Sequence, residues 1–162
     1  MKTAGTIFDK VIYVLFWLAG ILLLFATVGT CIDSILRYLL NRPIPWMLEI
    51  TEYIMLYIPF LGAALVLKEE GHIKVDLLIH KLNDRNRIRI SIVTSLVGGI
   101  IMSIYTWLGI QVTLDFFNRG VASLEYLKAP MYLILMIIPI GGFFFAIQFF
   151  RQSFSYHRRL KN

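Results

Sequence analysis

The residues most able to do chemistry lie in one short stretch, RYLLNRPIPWMLEITEY, which runs from Arg37 to Tyr53 between two strongly apolar segments. Asp33 precedes Arg37 by four residues, a spacing that permits an ion pair on one helix face. Glu49 and Glu52 are three residues apart and are expected to share a face of the following helix. Because ionisable groups are costly inside a bilayer, these residues are the first candidates for a functional site.

The spacing predicts that these charges meet at the end of a helical hairpin. A short connection stiffened by Pro43 and Pro45 joins the two apolar segments, with Arg42 as a further member of the cluster and Trp46 as an interfacial anchor. The alternative interpretation is a set of side chains that simply extend to water. Glu52 follows Trp46 by six residues, or about 9 Å of helix rise, so the cluster lies near the membrane surface and not at its midplane.

Composition indicates an integral membrane protein. Hydrophobic residues make up 58% of the 162 residues and the mean hydropathy is +0.72, whereas soluble domains contain about 45–50% apolar residues. Four apolar segments are long enough to cross a bilayer, which predicts an all-α fold with four transmembrane helices in a single membrane domain, 1–162. The spans are predicted at about 11–36, 46–67, 87–114 and 129–150. Pro59 and Pro139 fall inside the second and fourth spans and are expected to kink them.

The distribution of basic residues predicts the orientation of the chain. Twelve of the 16 lysines and arginines fall in the N-terminal segment, the second connection and the C-terminal tail, and the other four fall in the first and third connections. Cytoplasmic loops carry the excess of lysine and arginine, so both termini are expected to be cytoplasmic and the charged cluster to face outward. The same rule accounts for the net charge of +6 without nucleic acid as a partner.

The second connection contains an apolar stripe with helical spacing. Four residues recur at i, i+3, i+4 and i+7, namely Val75, Leu78, Ile79 and Leu82. This pattern predicts a short amphipathic helix at about 73–82 in the membrane interface, with its lysines near lipid headgroups. The alternative is an ordinary loop. Gly71, His72 and Asp76 are expected to shape the turn or the helix start, since an aspartate can cap backbone N–H groups.

Several kinds of chemistry lack the residues they need. The three histidines lie in connections and the single cysteine, Cys31, has no partner, which argues against a haem, a metal site or disulfide exchange. No phosphate loop, nucleophile elbow or HExxH motif occurs. We therefore expect neither an enzyme nor a bound cofactor. Gly98, Gly99 and Ser103 permit close helix approach, so the third span and the first are the predicted partner surface.

Three stretches together resemble one family. They are RYLLNRPIPWMLEITEY, FLGAALVLKEEGHIKVDLL and GVASLEYLKAPMYLILMIIPIGG, in that order and on a four-span topology. In this combination the chain resembles the small membrane (DctQ-type) subunit of tripartite ATP-independent periplasmic (TRAP) transporters, from about residue 37 to residue 151. Each motif alone is weak, whereas their order and spacing are specific.

The resemblance implies a function in a complex in the bacterial inner membrane. In such systems a soluble periplasmic protein captures an organic acid, such as a C4-dicarboxylate or a sialic acid, and a large membrane subunit moves it with a sodium gradient. The small subunit binds the large one as a scaffold, and coupling sodium is expected on the large subunit. Two other functions stay open: a stand-alone multidrug-type carrier that uses Glu49 and Glu52, and a four-helix redox enzyme.

Overall fold

The computed structural model describes residues 2–70, 84–124 and 126–161 of the chain, and these are almost entirely helical. The helices are α1 (Lys2–Leu40), α2 (Met47–Glu70), α3 (Asp84–Arg119), α4 (Met131–Leu135) and α5 (Ile137–Lys161). Four helical segments are long and apolar enough to cross a membrane: α1, α2, α3, and α4 with α5 together. The prediction of four spans is confirmed. The predicted amphipathic segment, 73–82, lies outside the described residues, as do Gly71, His72 and Asp76.

The helices are longer than the apolar segments that predicted them. α1 has 39 residues and α3 has 36, which correspond to about 58 Å and 54 Å of helix. Both lengths exceed a hydrocarbon core of about 30 Å. Hydropathy located only the apolar part of each helix, whereas the helices continue through the polar residues at their ends.

The four spans pack side by side, in an order that differs from the order of the chain. α1 packs on α2, α2 on α5, and α5 on α3, with the α3–α5 contact the most extensive. One cluster of buried residues joins Ile12 of α1 to Ala64 of α2, and another joins Ala19 and Leu61 to Ile137 of α5. α1 and α3 therefore form the two edges of the row and expose most of their apolar side chains.

Glycines bring α3 and α5 close together. A Cβ added at Gly98 would lie 2.8 Å from the ring of Phe149, and one at Gly99 would lie 3.0 Å from the ring of Phe150. The Ser103 hydroxyl donates to a carbonyl of its own helix. The sequence suggested that these small residues receive a partner. The structure instead uses both glycines for packing within the chain, so they give no reason to place a partner on α3.

The two intramembrane prolines have different effects. α2 continues without interruption through Pro59. The fourth span, predicted as one helix over 129–150, is broken at Met136, three residues before Pro139. Pro139 has no N–H to donate to the Leu135 carbonyl, four residues earlier. The Tyr57 hydroxyl of α2 donates a 2.6 Å hydrogen bond to the Leu133 carbonyl at this break, which supplies the broken helix with a donor from its neighbour.

Candidate functional site

The connection between α1 and α2 is a tight turn. α1 ends at Leu40, and Asn41 follows with a φ of 50°, the left-handed conformation that commonly ends a helix and that asparagine tolerates. Pro45 then occupies the second position of a turn closed by the Met47 N–H, which donates to the Ile44 carbonyl at 3.1 Å. The proline-containing segment thus reverses the chain in a few residues.

Asp33 fastens this connection to α1. Its Oδ2 accepts from Arg37 Nη2 at 2.7 Å, and its Oδ1 accepts from the Ile44 N–H at 2.6 Å. The predicted ion pair of Asp33 and Arg37 is confirmed. The two members differ in environment, because Asp33 is 7% exposed whereas the Arg37 side chain is 60% exposed. The carboxylate is therefore chiefly an acceptor for the backbone of the turn.

Glu49 connects α2 to a different loop. It lies in the first turn of α2 and is only 3% exposed. Its Oε1 accepts from the Tyr53 hydroxyl at 2.5 Å, and its Oε2 accepts from the Leu127 N–H at 2.8 Å. The Ser123 hydroxyl is a further donor to the same carboxylate. One side chain thus joins the start of the second span to the loop that follows α3.

That loop, the 120–130 loop, is described at residues 120–124 and 126–130, and backbone hydrogen bonds join its two ends. Gly120, with a φ of 61°, ends α3 in a Schellman motif in which the Val121 N–H donates to the Phe116 carbonyl at 3.4 Å. The Ser123 N–H then donates to the Ala129 carbonyl at 2.8 Å. These bonds bring the two ends of the loop together, and Glu49 binds the loop backbone at Leu127.

Large apolar side chains are exposed at this end of the molecule. Leu124 and Tyr126 lie in the 120–130 loop, and Tyr38, Leu39 and Trp46 lie around the α1–α2 turn. We call these five residues the loop-end apolar residues. Leu124 is fully exposed and Tyr126 is 70% exposed. Asp33 binds the backbone at Ile44, close to Trp46, and Glu49 binds the backbone at Leu127, next to Tyr126. We call Asp33 and Glu49 the carboxylate anchors.

The structure does not assemble the predicted cluster of all the charges. The side chain of Glu52 is exposed and has no hydrogen bond or ion pair to any other described residue. The same holds for the side chain of Arg42, whose backbone N–H donates to the Leu36 carbonyl. Residues three apart differ by about 60° around a helix. That difference is enough to turn Glu49 into the 120–130 loop and Glu52 away from it. Glu49 and Glu52 therefore do not act together. The carboxylates that bind loop backbone are Asp33 and Glu49, and Glu52 takes no part.

The chemistry open to these anchors is limited. The carboxylate of Glu49 already accepts three hydrogen bonds and that of Asp33 accepts two. Within the described ranges, no three His, Cys, Asp or Glu side chains are grouped so as to hold a metal ion. The arrangement fixes two loops at one end of the spans.

Comparison with known families decides which kind of membrane protein this is. The model of the family described as "Tripartite ATP-independent periplasmic transporters, DctQ component" matches residues 26–159. The chain belongs to this family. It is thus a multi-pass membrane component of a tripartite transporter, as the motifs between residues 37 and 151 indicated.

A curated relative agrees with this membership in the DctQ family. The "C4-dicarboxylate TRAP transporter small permease protein DctQ" of Rhodobacter capsulatus is 26% identical over 114 residues, which cover 70% of this chain and 49% of the relative. The chain therefore spans about half the length of this relative.

This DctQ-family chain has a second polar network, which sequence reasoning missed. Asp9 Oδ1 accepts from Arg151 Nη1 at 2.7 Å, and Lys68 Nζ lies 3.5 Å from Asp9 Oδ2. Asp9 is 24 residues from Asp33 on the same helix, or about 36 Å. The two networks thus lie at opposite ends of the spans. A signal was present, because Asp9 is the one acidic residue before the first span while lysines and arginines follow the second and fourth.

Proposed function

We propose that this chain is the small permease subunit of a sodium-coupled, binding-protein-dependent secondary transporter that imports organic acids across the bacterial inner membrane. It acts as a scaffold for the large transport subunit and contributes to docking of the periplasmic substrate-binding protein. Both termini are cytoplasmic and the α1–α2 turn faces the periplasm. The observation that carries the proposal is the family match over residues 26–159.

The scaffold role is supported by the exposed faces of the edge helices. On α1, five exposed apolar residues recur at intervals of three and four: Val14, Trp17, Ile21, Leu24 and Val28. This spacing gives one continuous stripe along a helix, the pattern by which helices pack on one another. We infer that a helix of the large subunit packs on this stripe and that lipid covers the other exposed faces.

The docking role is supported by the two carboxylate anchors. A loop that binds a soluble partner loses less entropy on binding if it is already fixed, so pre-organisation strengthens the contact. Asp33 and Glu49 fix the segments that carry the loop-end apolar residues. Exposed aromatic residues such as Tyr126 and Trp46 are common anchors in protein interfaces.

The substrate class is argued from the family and not from a site in this chain. The name of the Rhodobacter capsulatus relative supports a C4-dicarboxylate as the first substrate to test. Sialic acids, which the family resemblance implies, are the second. Substrate recognition belongs to the binding protein and the large subunit. Coupling sodium is likewise proposed to bind the large subunit, and the proposed role of this chain requires no cofactor.

A stand-alone multidrug-type carrier would need Glu49 and Glu52 as a joint binding site for a cation. The three donors on Glu49 and the outward position of Glu52 argue against such a site. Carriers of this kind place their ionisable site near the membrane centre. The anchors lie instead at the end of the spans.

The test is co-purification followed by reconstitution. This chain is tagged and co-expressed with the large subunit of the same transporter. Purification through the tag in mild detergent should yield a stoichiometric complex of the two subunits. Vesicles that contain the complex, a binding protein and a sodium gradient should then accumulate a C4-dicarboxylate. Saturable accumulation by vesicles that contain only this chain would contradict the proposal, as would purification of the chain free of the large subunit.

A further inference from the structure

A half-open cavity lined by polar residues lies between α1, α2 and α5 at the end opposite the carboxylate anchors. Its volume is about 180 Å³, and it is lined by side chains from Asp9, Lys68, Gln148 and Arg151, together with Gln152, Ser155 and Tyr156. All of these are charged or hydrogen-bonding groups. Lys68 and Arg151 are only partly buried and both already contact Asp9. Gln148 is buried, and a buried polar group is rarely left without a partner.

The two cations of the cavity are held in place before any ligand arrives. The Arg151 guanidinium lies 4.7 Å from the ring centroid of Phe8, and Lys68 Nζ lies 4.8 Å from that of Tyr13. Both cations also contact Asp9. An arginine has five N–H donors and a lysine has three, so each keeps donors for a further acceptor. Among the lining residues, Lys68, Arg151 and Asp9 carry a net charge of +1, which favours an oxyanion. Glu69 lies beside the lining, where it accepts from the Tyr13 hydroxyl at 3.1 Å.

Whereas the two cations need an acceptor, Gln148 needs a hydrogen-bond donor. The residue is only 6% exposed, and its Oε1 is buried with no hydrogen-bond donor among the described residues. A buried acceptor without a donor is unfavourable. The last torsion angle of a glutamine side chain is only loosely restricted, so the Gln148 amide can turn its oxygen toward a donor in the cavity. An occupant that brings both an anion and a donor would therefore complement the cavity better than an anion alone.

The position of the cavity suggests where such an occupant comes from. Asp9 and Asp33 are separated by about 36 Å along α1, slightly more than a hydrocarbon core of about 30 Å. With the Asp33 turn at one membrane surface, the cavity lies at the level of the lipid headgroups at the other. Basic pockets between transmembrane helices at this level are suited to lipid headgroups.

We propose that this cavity binds the headgroup of a phosphatidylethanolamine-type lipid. The phosphate oxygens bind Arg151 and Lys68, and the ammonium donates to Gln148 and Asp9. The zwitterion supplies both the anion that the cations favour and the donor that Gln148 lacks, whereas an anionic lipid or free phosphate supplies only the first. This inference concerns a different end of the molecule from the docking surface and does not depend on the proposed transport function.

The experiment measures thermal unfolding of the full-length chain after removal of co-purified lipid in detergent. Phosphatidylethanolamine, phosphatidylglycerol and inorganic phosphate are added separately over the same concentration range. We expect a saturable rise in midpoint temperature with phosphatidylethanolamine, a smaller rise with phosphatidylglycerol, and none with inorganic phosphate. An equal effect of inorganic phosphate, or an equal or larger effect of phosphatidylglycerol, would overturn the proposal.

Variants test the phosphate contacts. Arg151→Gln and Lys68→Gln should each raise the half-saturating concentration of phosphatidylethanolamine roughly tenfold, the change expected for loss of a charge-assisted hydrogen bond. Arg158→Gln is the matched control, because Arg158 lies on the same helix and stacks on Phe154 outside the cavity. A control variant that weakens lipid binding as much as Arg151→Gln would mean that lipid responds only to overall charge, and the proposal would fail.

Gln148→Leu tests the ammonium contact with little risk to folding. Removing a buried acceptor that lacks a donor should leave the midpoint without lipid unchanged or raise it. The preference for phosphatidylethanolamine over phosphatidylglycerol should shrink toward equality, since the lost contact is made by the ammonium alone. A preference that stays intact in Gln148→Leu would refute the assigned orientation of the headgroup.

Discussion

At the scale of single residues, two carboxylates act as acceptors for loop backbone. The sequence predicted the pair of Asp33 and Arg37 because residues four apart on a helix are neighbours whatever the tertiary structure. It could not predict that Glu49 binds the Leu127 N–H, which lies 78 residues away. Nothing in the spacing of Glu49 and Glu52 distinguishes the anchor from the exposed acid. That difference arises only when α3 delivers the 120–130 loop to the start of α2.

Glu49→Gln should weaken the hold on the 120–130 loop. A glutamine retains one carbonyl acceptor, but its NH₂ group cannot accept from Leu127 or Tyr53, so at least one donor loses its partner. We expect a lower thermal midpoint in detergent and a several-fold loss of uptake by the reconstituted complex. Glu52→Gln is the control at the same charge change, and it should leave both measurements unaltered. Equal losses in the two variants would contradict the anchor role of Glu49.

Alanine substitutions of Asp33 and Arg37 should differ in their effect on stability, although the two residues form one ion pair. Arg37 is mostly exposed, and exposed pairs of this spacing contribute little to stability. Asp33→Ala also removes the acceptor of the Ile44 N–H, which leaves a backbone donor of the turn without its partner. We therefore expect Asp33→Ala to reduce thermal stability and assembly with the large subunit clearly more than Arg37→Ala does. The opposite order, measured by unfolding and co-purification, would show that the charge of Arg37 matters in its own right.

At the scale of elements, hydropathy predicted the existence of the spans but not their ends or their breaks. The spans are apolar almost throughout, so their centres are unmistakable from composition. The break at Met136 requires knowledge of which carbonyls find other donors, such as the Tyr57 hydroxyl at Leu133. Pro59 and Pro139 look equivalent in sequence. Only the packed structure shows that α2 continues through one proline and that the fourth span breaks near the other.

Gly141→Ala should disrupt the contact between α2 and α5. A Cβ at this position would lie 2.5 Å from the Phe60 carbonyl oxygen and 2.6 Å from the Phe60 Cβ, and backbone cannot move aside as a flexible side chain can. Overpacking of this kind typically costs about 1–3 kcal/mol. The measurement is the midpoint temperature of unfolding in detergent, monitored by intrinsic tryptophan fluorescence.

Gly20→Ala is the matched control, because a Cβ at Gly20 meets nothing within 4 Å. Alanine favours the helix over glycine by about 1 kcal/mol, so this variant should be as stable as the original chain or more so. If Gly141→Ala is equally harmless, the close approach of α2 and α5 does not limit stability.

At the scale of the whole molecule, the row of helices places one polar network at each end of an apolar slab. The sequence predicted four crossings and a group of charged residues near the α1–α2 turn. Both follow from the positions of polar residues along the chain. The order α1, α2, α5, α3 was not predictable. Spans that are apolar on nearly every face carry no periodic signal of which face meets which neighbour, and the contact is decided by glycines such as Gly98 opposite Phe149.

The orientation of this row can be measured with single cysteines. Four crossings place the 120–130 loop and the C-terminal end of α5 on opposite sides. The twelve-to-four distribution of basic residues predicts that the C-terminal side is cytoplasmic. In a Cys31→Ser background, a membrane-impermeant maleimide should label Tyr126→Cys in intact spheroplasts. It should label His157→Cys only after permeabilisation, since both positions are exposed. The reverse pattern would invert the topology and remove the loop-end apolar residues from the periplasmic side, and the proposed docking role would fail.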